Sequence, residues 1–237
     1  MKKLLLLVGG SAGLGEALYS HYKNLDYDIV EFSRSGQQPE HVFLDMSRKE
    51  TAIDTIDLQF AQLAKQPWQE IVLIINAAQI GPIGELAMSE PKQWWQNIEV
   101  NLTLPISIMG RFQTHFQAVE APKNIAFVSS GAATSVIEGW SLYSATKAGV
   151  EHFIRVVAQE QSSKSNPITP VILNPGIMDT QMQATIRSSS EAQFSNVDWF
   201  KQAHETGQLA SPATVAGNIA AVLSGKLEAG QVYDVSG

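Results

Sequence analysis

Tyr143 and Lys147 stand four residues apart in the stretch SSGAATSVIEGWSLYSATKAGVEHF, residues 129–153, so on a helix both side chains leave the same face. A phenol with its ordinary pKa of about 10 is a poor proton shuttle at neutral pH. A neighbouring ammonium favours the phenolate and is expected to bring Tyr143 toward a useful range. Ser130 follows the end of a predicted strand, where its hydroxyl can donate to a substrate oxygen. The Tyr-Lys spacing is common on helices, and read blandly it is an exposed pair worth a few tenths of a kcal/mol.

A second stretch with chemical potential is LLLLVGGSAGLGEAL, Leu4 to Leu18. Gly9, Gly13 and Gly15 follow a predicted strand and open a predicted helix, where bare backbone and free N–H groups suit a pyrophosphate. The same residues fit a hydrolase elbow, with Ser11 as nucleophile in G-x-S-x-G. That elbow draws part of its oxyanion hole from an upstream loop, and only eight residues precede the motif. A secretory signal is the third reading; the apolar run after Lys2-Lys3 is too short and lacks a small-residue cleavage site. The dinucleotide reading is kept. The next strand ends in Ser33-Arg34-Ser35, and a hydroxyl and a guanidinium in place of an acid there favour a 2′-phosphate, hence NADP(H). Read blandly, Arg34 is a solvated turn residue.

The elements that must position these residues are legible as an alternation. Apolar runs suited to buried strands occur at 4–8, 28–32, 41–44, 70–75, 124–129, 168–173 and 231–235, and most are separated by stretches of helical spacing. Near-continuous apolar strands are expected where both faces of a sheet are covered, which predicts an α/β, doubly wound parallel sheet of about seven strands with helices on both faces. Pro105, Pro170 and Pro175 are placed near element ends. The segment 182–196, MQATIRSSSEAQFSN, is polar and serine-rich; it reads as a mobile connection or, more sharply, as part of a substrate lid around 178–210.

The remaining composition limits the partners. A formal charge of −7 disfavours nucleic acid, and the absence of cysteine excludes disulfides, thiolate catalysis and Cys-bound zinc. The five histidines show no zinc-like spacing, so no metal is expected. Apolar stretches fall short of the ~18 residues of a membrane helix. A cytoplasmic protein with a small-molecule substrate is the expectation.

Taken in order, these motifs resemble the short-chain dehydrogenase/reductase family over essentially the whole chain. The ordered set is VGGSAGLG at 8–15, Asp45 after the third strand, INAA at 75–78, Asn101, Ser130, Tyr143 with Lys147, and NPGIMDT at 174–180. The thirteen-residue step to Tyr143 selects Ser130 over Ser129. The resemblance implies a single Rossmann-type domain over residues 1–237. It implies that Gly9, Ser11, Gly13, Leu14 and Gly15 line the pyrophosphate, Ser33 and Arg34 hold the 2′-phosphate, and Asp45 and Met46 touch adenine. Asn76 and Ala77 would flank the adenosine side, and Pro175, Gly176, Ile177 and Thr180 would fix the carboxamide and its surroundings. Ser130 would polarise a carbonyl and Tyr143 would transfer the proton. Lys147 would tune Tyr143 and bind the nicotinamide ribose, and Asn101 would hold a relay water.

Val8 replaces the family's usual threonine, and Ile75 and Ala78 replace the outer residues of its N-N-A-G, so apolar packing is expected there instead of a polar link. The tail from Asn174 is most similar to the sepiapterin reductase and benzil reductase group, which implies NADPH-dependent reduction of a ketone, one carbonyl of a diketone or a pteridine side chain. Among the tryptophans, Trp140 is weighted as a substrate wall because it lies three residues before Tyr143. A homodimer or homotetramer through helices near 102–118 and 141–163 is implied by the resemblance. The rival class is an NADP(H)-binding sensor or scaffold without turnover, which has no need of the serine and tyrosine.

Overall fold

The computed structural model describes residues 2–237. Seven strands form one sheet, all parallel, in the order β3-β2-β1-β4-β5-β6-β7. They are β1 (Lys2–Val8), β2 (Tyr27–Ser33), β3 (His41–Phe43), β4 (Trp68–Ile75), β5 (Lys123–Val128), β6 (Ile168–Asn174) and β7 (Val232–Asp234). The seven apolar runs are these strands, with ends displaced by one or two residues. The order reverses at β1, so the crevice between the ends of β1 and β4 is the topological switch point where open α/β sheets take ligands.

The run LLLLV is apolar throughout because both of its faces are covered. Leu4, Leu6 and Val8 join a cluster with α2 (Lys49–Leu63), α4 (Leu104–Phe116) and α5 (Ser141–Gln161). Leu5 and Leu7 join the opposite cluster with α1 (Gly13–Asn24) and α8 (Pro212–Leu223). Val8 and Ile75, the two departures from the family pattern, are register partners in β1 and β4, fully buried in one cluster. Packing replaces a polar link there, as expected from their side chains.

Pro170 departs from expectation, because it is the third residue of β6 and not near an end. The position is tolerated because an N–H and C=O of one strand residue point to the same side, and the Pro170 carbonyl faces Gly230, just before β7 begins. Its missing donor has no strand carbonyl to meet. Pro105 is the second residue of α4 and follows α3 (Pro91–Ile98) and a wider π turn at Glu99–Thr103. Asn101 sits in that turn, and its carbonyl has no α-helical donor because residue 105 carries no N–H.

The segment after β6 is more ordered than its composition implied. It forms α6 (Gln181–Arg187) and α7 (Val197–Glu205), and Phe194 between them is fully buried. Phe194, Val197, Phe200 and Ile186 make a third apolar cluster with Ile80, Trp140 and Tyr143. The stretch is rich in serine, yet these four buried apolar residues pack it against Tyr143.

Candidate active site

A cleft of about 1080 Å³ opens at the C-terminal ends of the strands. One end is walled by Gly9, Ser11, Gly13 and Leu14, with Ser33, Arg34, Asp45 and Met46 beyond them and Asn76 and Ala77 opposite. Its middle is walled by Ser130, Tyr143 and Lys147, and by Pro175, Gly176, Ile177 and Thr180 after β6. Of the residues singled out from sequence, Gly15 and Asn101 stand behind this wall and not on it.

Gly15 acts through closeness. A Cβ there would lie 1.9 Å from the Gly9 carbonyl oxygen, so only glycine lets α1 start against the loop. Gly9 adopts φ +86°, and a Cβ would fall 2.7 Å from the Ala77 amide nitrogen. The loop is fixed from β4 as well: the N–H groups of Asn76 and Ala77 donate to the Val8 carbonyl at 2.9 and 3.0 Å, and the Asn76 amide donates to the Gly9 carbonyl at 2.8 Å. Helix α1 begins without a side-chain cap. The Gly15 N–H turns back to the Ala12 carbonyl at 3.1 Å, which leaves the N–H groups of Gly13 and Leu14 available to an anion, as a pyrophosphate requires.

At the end of the cleft beside β2, Ser33 and Arg34 divide. Ser33 is 7% exposed; its hydroxyl donates to Glu31 and accepts the N–H groups of Ser35 and Gly36 at 3.4 and 3.0 Å. It organises the turn, and the expectation that its hydroxyl serves a 2′-phosphate is corrected: that oxygen is already occupied. Arg34 is exposed on the cleft edge. Partial burial works to raise the Asp45 carboxyl, but Ser47 and the charges of Arg34 and Arg48 outweigh it and hold the group below the usual carboxylate range.

At the chemical end, Ser129 and Ser130 face different ways. The Ser129 hydroxyl donates to buried Glu151 at 2.7 Å. Ser130 caps a short 3-10 turn, accepting the Ala132 N–H at 3.2 Å, which leaves its hydroxyl proton free to point elsewhere. Lys147 is 1% exposed and donates to the Val128 carbonyl at 2.7 Å, with its ammonium 5.6 Å from the centre of the Tyr143 ring. Burial pushes the Tyr143 phenol up to about 12, with the Ser130 hydroxyl opposing, and pulls Lys147 down to about 7, with Glu151 opposing. The shift of the phenol runs opposite to the one expected from an adjacent cation. Both groups are buried, and desolvation is the largest influence on each.

Asn101 is buried. Its amide donates to the Gln79 carbonyl at 2.7 Å and its oxygen accepts the Gln79 N–H at 2.8 Å, with buried Asn97 bracing the same loop. The side chain holds the loop after β4; only the backbone carbonyl is free of an α-helical partner. Trp140 lines the cleft but is 5% exposed and stacked on Phe194 at 5.1 Å. Trp199, which sequence alone gave no weight, also lines the cleft and is 52% exposed. Glu31 and Glu151 were missed too, since nothing in the sequence marks an acid as buried.

The chain is similar to known proteins in both sequence and fold. The family model described as short chain dehydrogenase matches residues 3–191. The chain is 32% identical to the benzil reductase ((S)-benzoin forming) of Bacillus subtilis (strain 168), over 98% of each. It is 27% identical to benzil reductase ((S)-benzoin forming) IRC24 of Saccharomyces cerevisiae, over 93% of this chain and 89% of that one. Among solved structures, YIR035C of Saccharomyces cerevisiae superposes with TM-score 0.82 at 22% identity, covering 99% of this chain and 96% of that one. ElxO with NADP bound superposes with TM-score 0.80 at 23% identity, covering 100% and 98%. The chain belongs to the short-chain dehydrogenase/reductase family, in its benzil reductase group, and is an oxidoreductase of carbonyl and alcohol groups.

Proposed function

We propose that this protein is an NADPH-dependent reductase of neutral aryl ketones, with one carbonyl of an aromatic 1,2-diketone as the preferred group. The observation that carries the reading is the convergence of Ser130, Tyr143 and Lys147 on one wall of the cleft that the glycine loop enters. When bound, NADPH supplies the hydride. The open first turn of α1 and the loop glycines fit its pyrophosphate, and Arg34 fits the 2′-phosphate.

Ser130 donates to the substrate oxygen and holds the carbonyl beside Tyr143. Tyr143, raised to about 12, keeps its proton at neutral pH, as a general acid must. It gives that proton to the developing alkoxide. Lys147, poised near neutrality, is placed to return a proton toward the phenolate, and its donors not used by Val128 suit the nicotinamide ribose. The Asn101 carbonyl, without its α-helical donor, is the place for a relay water.

Selectivity follows from the other half of the cleft. Ile80, Ile137, Trp140, Ile186, Trp199 and Phe200 line it, and Lys147 is the only charged side chain among the described residues lining that half. Lys147 is committed to the Val128 carbonyl and the ribose and no acid among the described residues lines this half, so a charged substrate gains little there, whereas aromatic rings find stacking surfaces. The activities in the names of the two benzil reductases support the same class. The test is NADPH consumption against aryl diketones, quinones, pteridines and simple aldehydes, with NADH in parallel and Tyr143→Phe as control. Aryl diketones should be reduced fastest, and the variant should bind NADPH while losing at least ~100-fold in turnover. Equal turnover by Tyr143→Phe would defeat the assignment.

A further inference from the structure

Glu31 lies in β2, is 0% exposed, and has no part in the chemistry above. We infer that Glu31 is a positioning residue for the cofactor: an internal carboxylate that locks the glycine loop and the loop carrying Arg34 into one preformed dinucleotide cradle. The inference rests on the NADP(H) reading and extends it to a residue off the cleft wall.

Three donors from three segments meet on this one carboxylate. The Gly10 N–H donates at 2.8 Å, the Ser33 hydroxyl at 3.1 Å, and His41 Nδ1 lies 2.7 Å away. Gly10 belongs to the glycine loop, Ser33 ends β2, and His41 opens β3. Two glycines outside the left-handed region exist to admit this side chain. A Cβ on Gly10 would lie 2.5 Å from Glu31 Cγ, and one on Gly36 would lie 2.3 Å from both Glu31 Oε2 and His41 Nδ1.

The arrangement has two consequences for a dinucleotide. Gly10 has its N–H turned inward to Glu31, so phosphate oxygens must be met further along, at the start of α1. An acid near the end of β2, which facing the ribose would favour NAD, is instead withdrawn into the interior. What remains at the surface is Arg34 with Ser35, whose hydroxyl reaches Ser11 at 3.3 Å and closes the two loops on each other. Without the carboxylate, buried donors on both loops lose their acceptor and the loops must rearrange to satisfy them.

The test is direct NADPH and NADH titration by fluorescence, with steady-state kinetics, on wild type, Glu31→Ala and Glu31→Gln. Glutamine keeps an acceptor for Gly10, and His41 can change tautomer to suit the amide. Glu31→Ala should weaken NADPH about tenfold or more, the scale of an orphaned buried donor, and NADH less. Its kcat at saturating NADPH should stay within about threefold of wild type, and Glu31→Gln should recover most of the affinity. Unchanged NADPH affinity in the alanine variant, a loss in kcat as large as that in affinity, or glutamine as impaired as alanine would each overturn the inference. If Glu31→Ala does not fold, His41→Leu removes only the third donor and should weaken NADPH about threefold; no change there overturns it equally. Wild type that binds neither dinucleotide would sink the cofactor reading, and this inference with it.

Discussion

Replacing Lys147 by methionine should abolish turnover and stabilise the fold. Burial lowers this lysine from 10.5 to about 7. At ~1.36 kcal/mol per pKa unit, the folded state disfavours the charged form by roughly 5 kcal/mol relative to the unfolded chain, of which about 4 kcal/mol applies at pH 7. Methionine fills a similar volume without a charge. Against this gain, the Val128 carbonyl loses the donor now 2.7 Å away, which costs about 1 kcal/mol. Allowing for water reaching the ammonium, the net stabilisation should be roughly 2–3 kcal/mol, a rise of about 5–10 °C in Tm for a chain this long.

The sign with pH is fixed by the direction of the shift. A lysine depressed in the folded state carries its full penalty below about pH 7, and the penalty disappears as pH rises through 10.5, where the unfolded lysine also loses its proton. The gap between variant and wild type should therefore be widest at or below neutrality and narrow toward about pH 10. Thermal unfolding of both proteins without nucleotide, across that range, is the assay. A methionine variant that melts at or below the wild-type temperature at pH 7, or a gap that does not narrow, would refute the claim that desolvation dominates at this site.

Arg34→Ala should weaken NADPH far more than NADH, because the guanidinium is the exposed cation at the end of β2; an unchanged cofactor preference in binding titrations would remove the 2′-phosphate role. Gly9→Ala should lose dinucleotide binding and at least ~1–3 kcal/mol of stability, since its Cβ meets the Ala77 backbone at 2.7 Å and φ is +86°. Wild-type stability and unaltered NADPH affinity in that variant would show that the loop has more room than its geometry implies.

The strands, the glycine loop and the spacing of Ser130, Tyr143 and Lys147 are legible in the chain alone. Each is written locally: LLLLV is buried on both faces, glycines mark tight approach, and a four-residue step puts Tyr143 and Lys147 on one helix face. Val8 and Ile75 were legible as packing residues for the same reason, since an apolar side chain declares its preference for burial.

The fate of polar groups emerges only in three dimensions, because their partners are distant in sequence. Asn101 braces the backbone of Gln79, 22 positions away; Ser33 turns to Glu31; and Glu31 reaches Gly10, 21 positions away. The ionisation of Tyr143 and Lys147 belongs here as well. Their spacing foretold attraction, but burial dominates at both groups: the segment around Phe194 closes over Tyr143, and Phe127 and Val128 pack against Lys147. Desolvation depends on every element that closes over a group, and no local spacing encodes it.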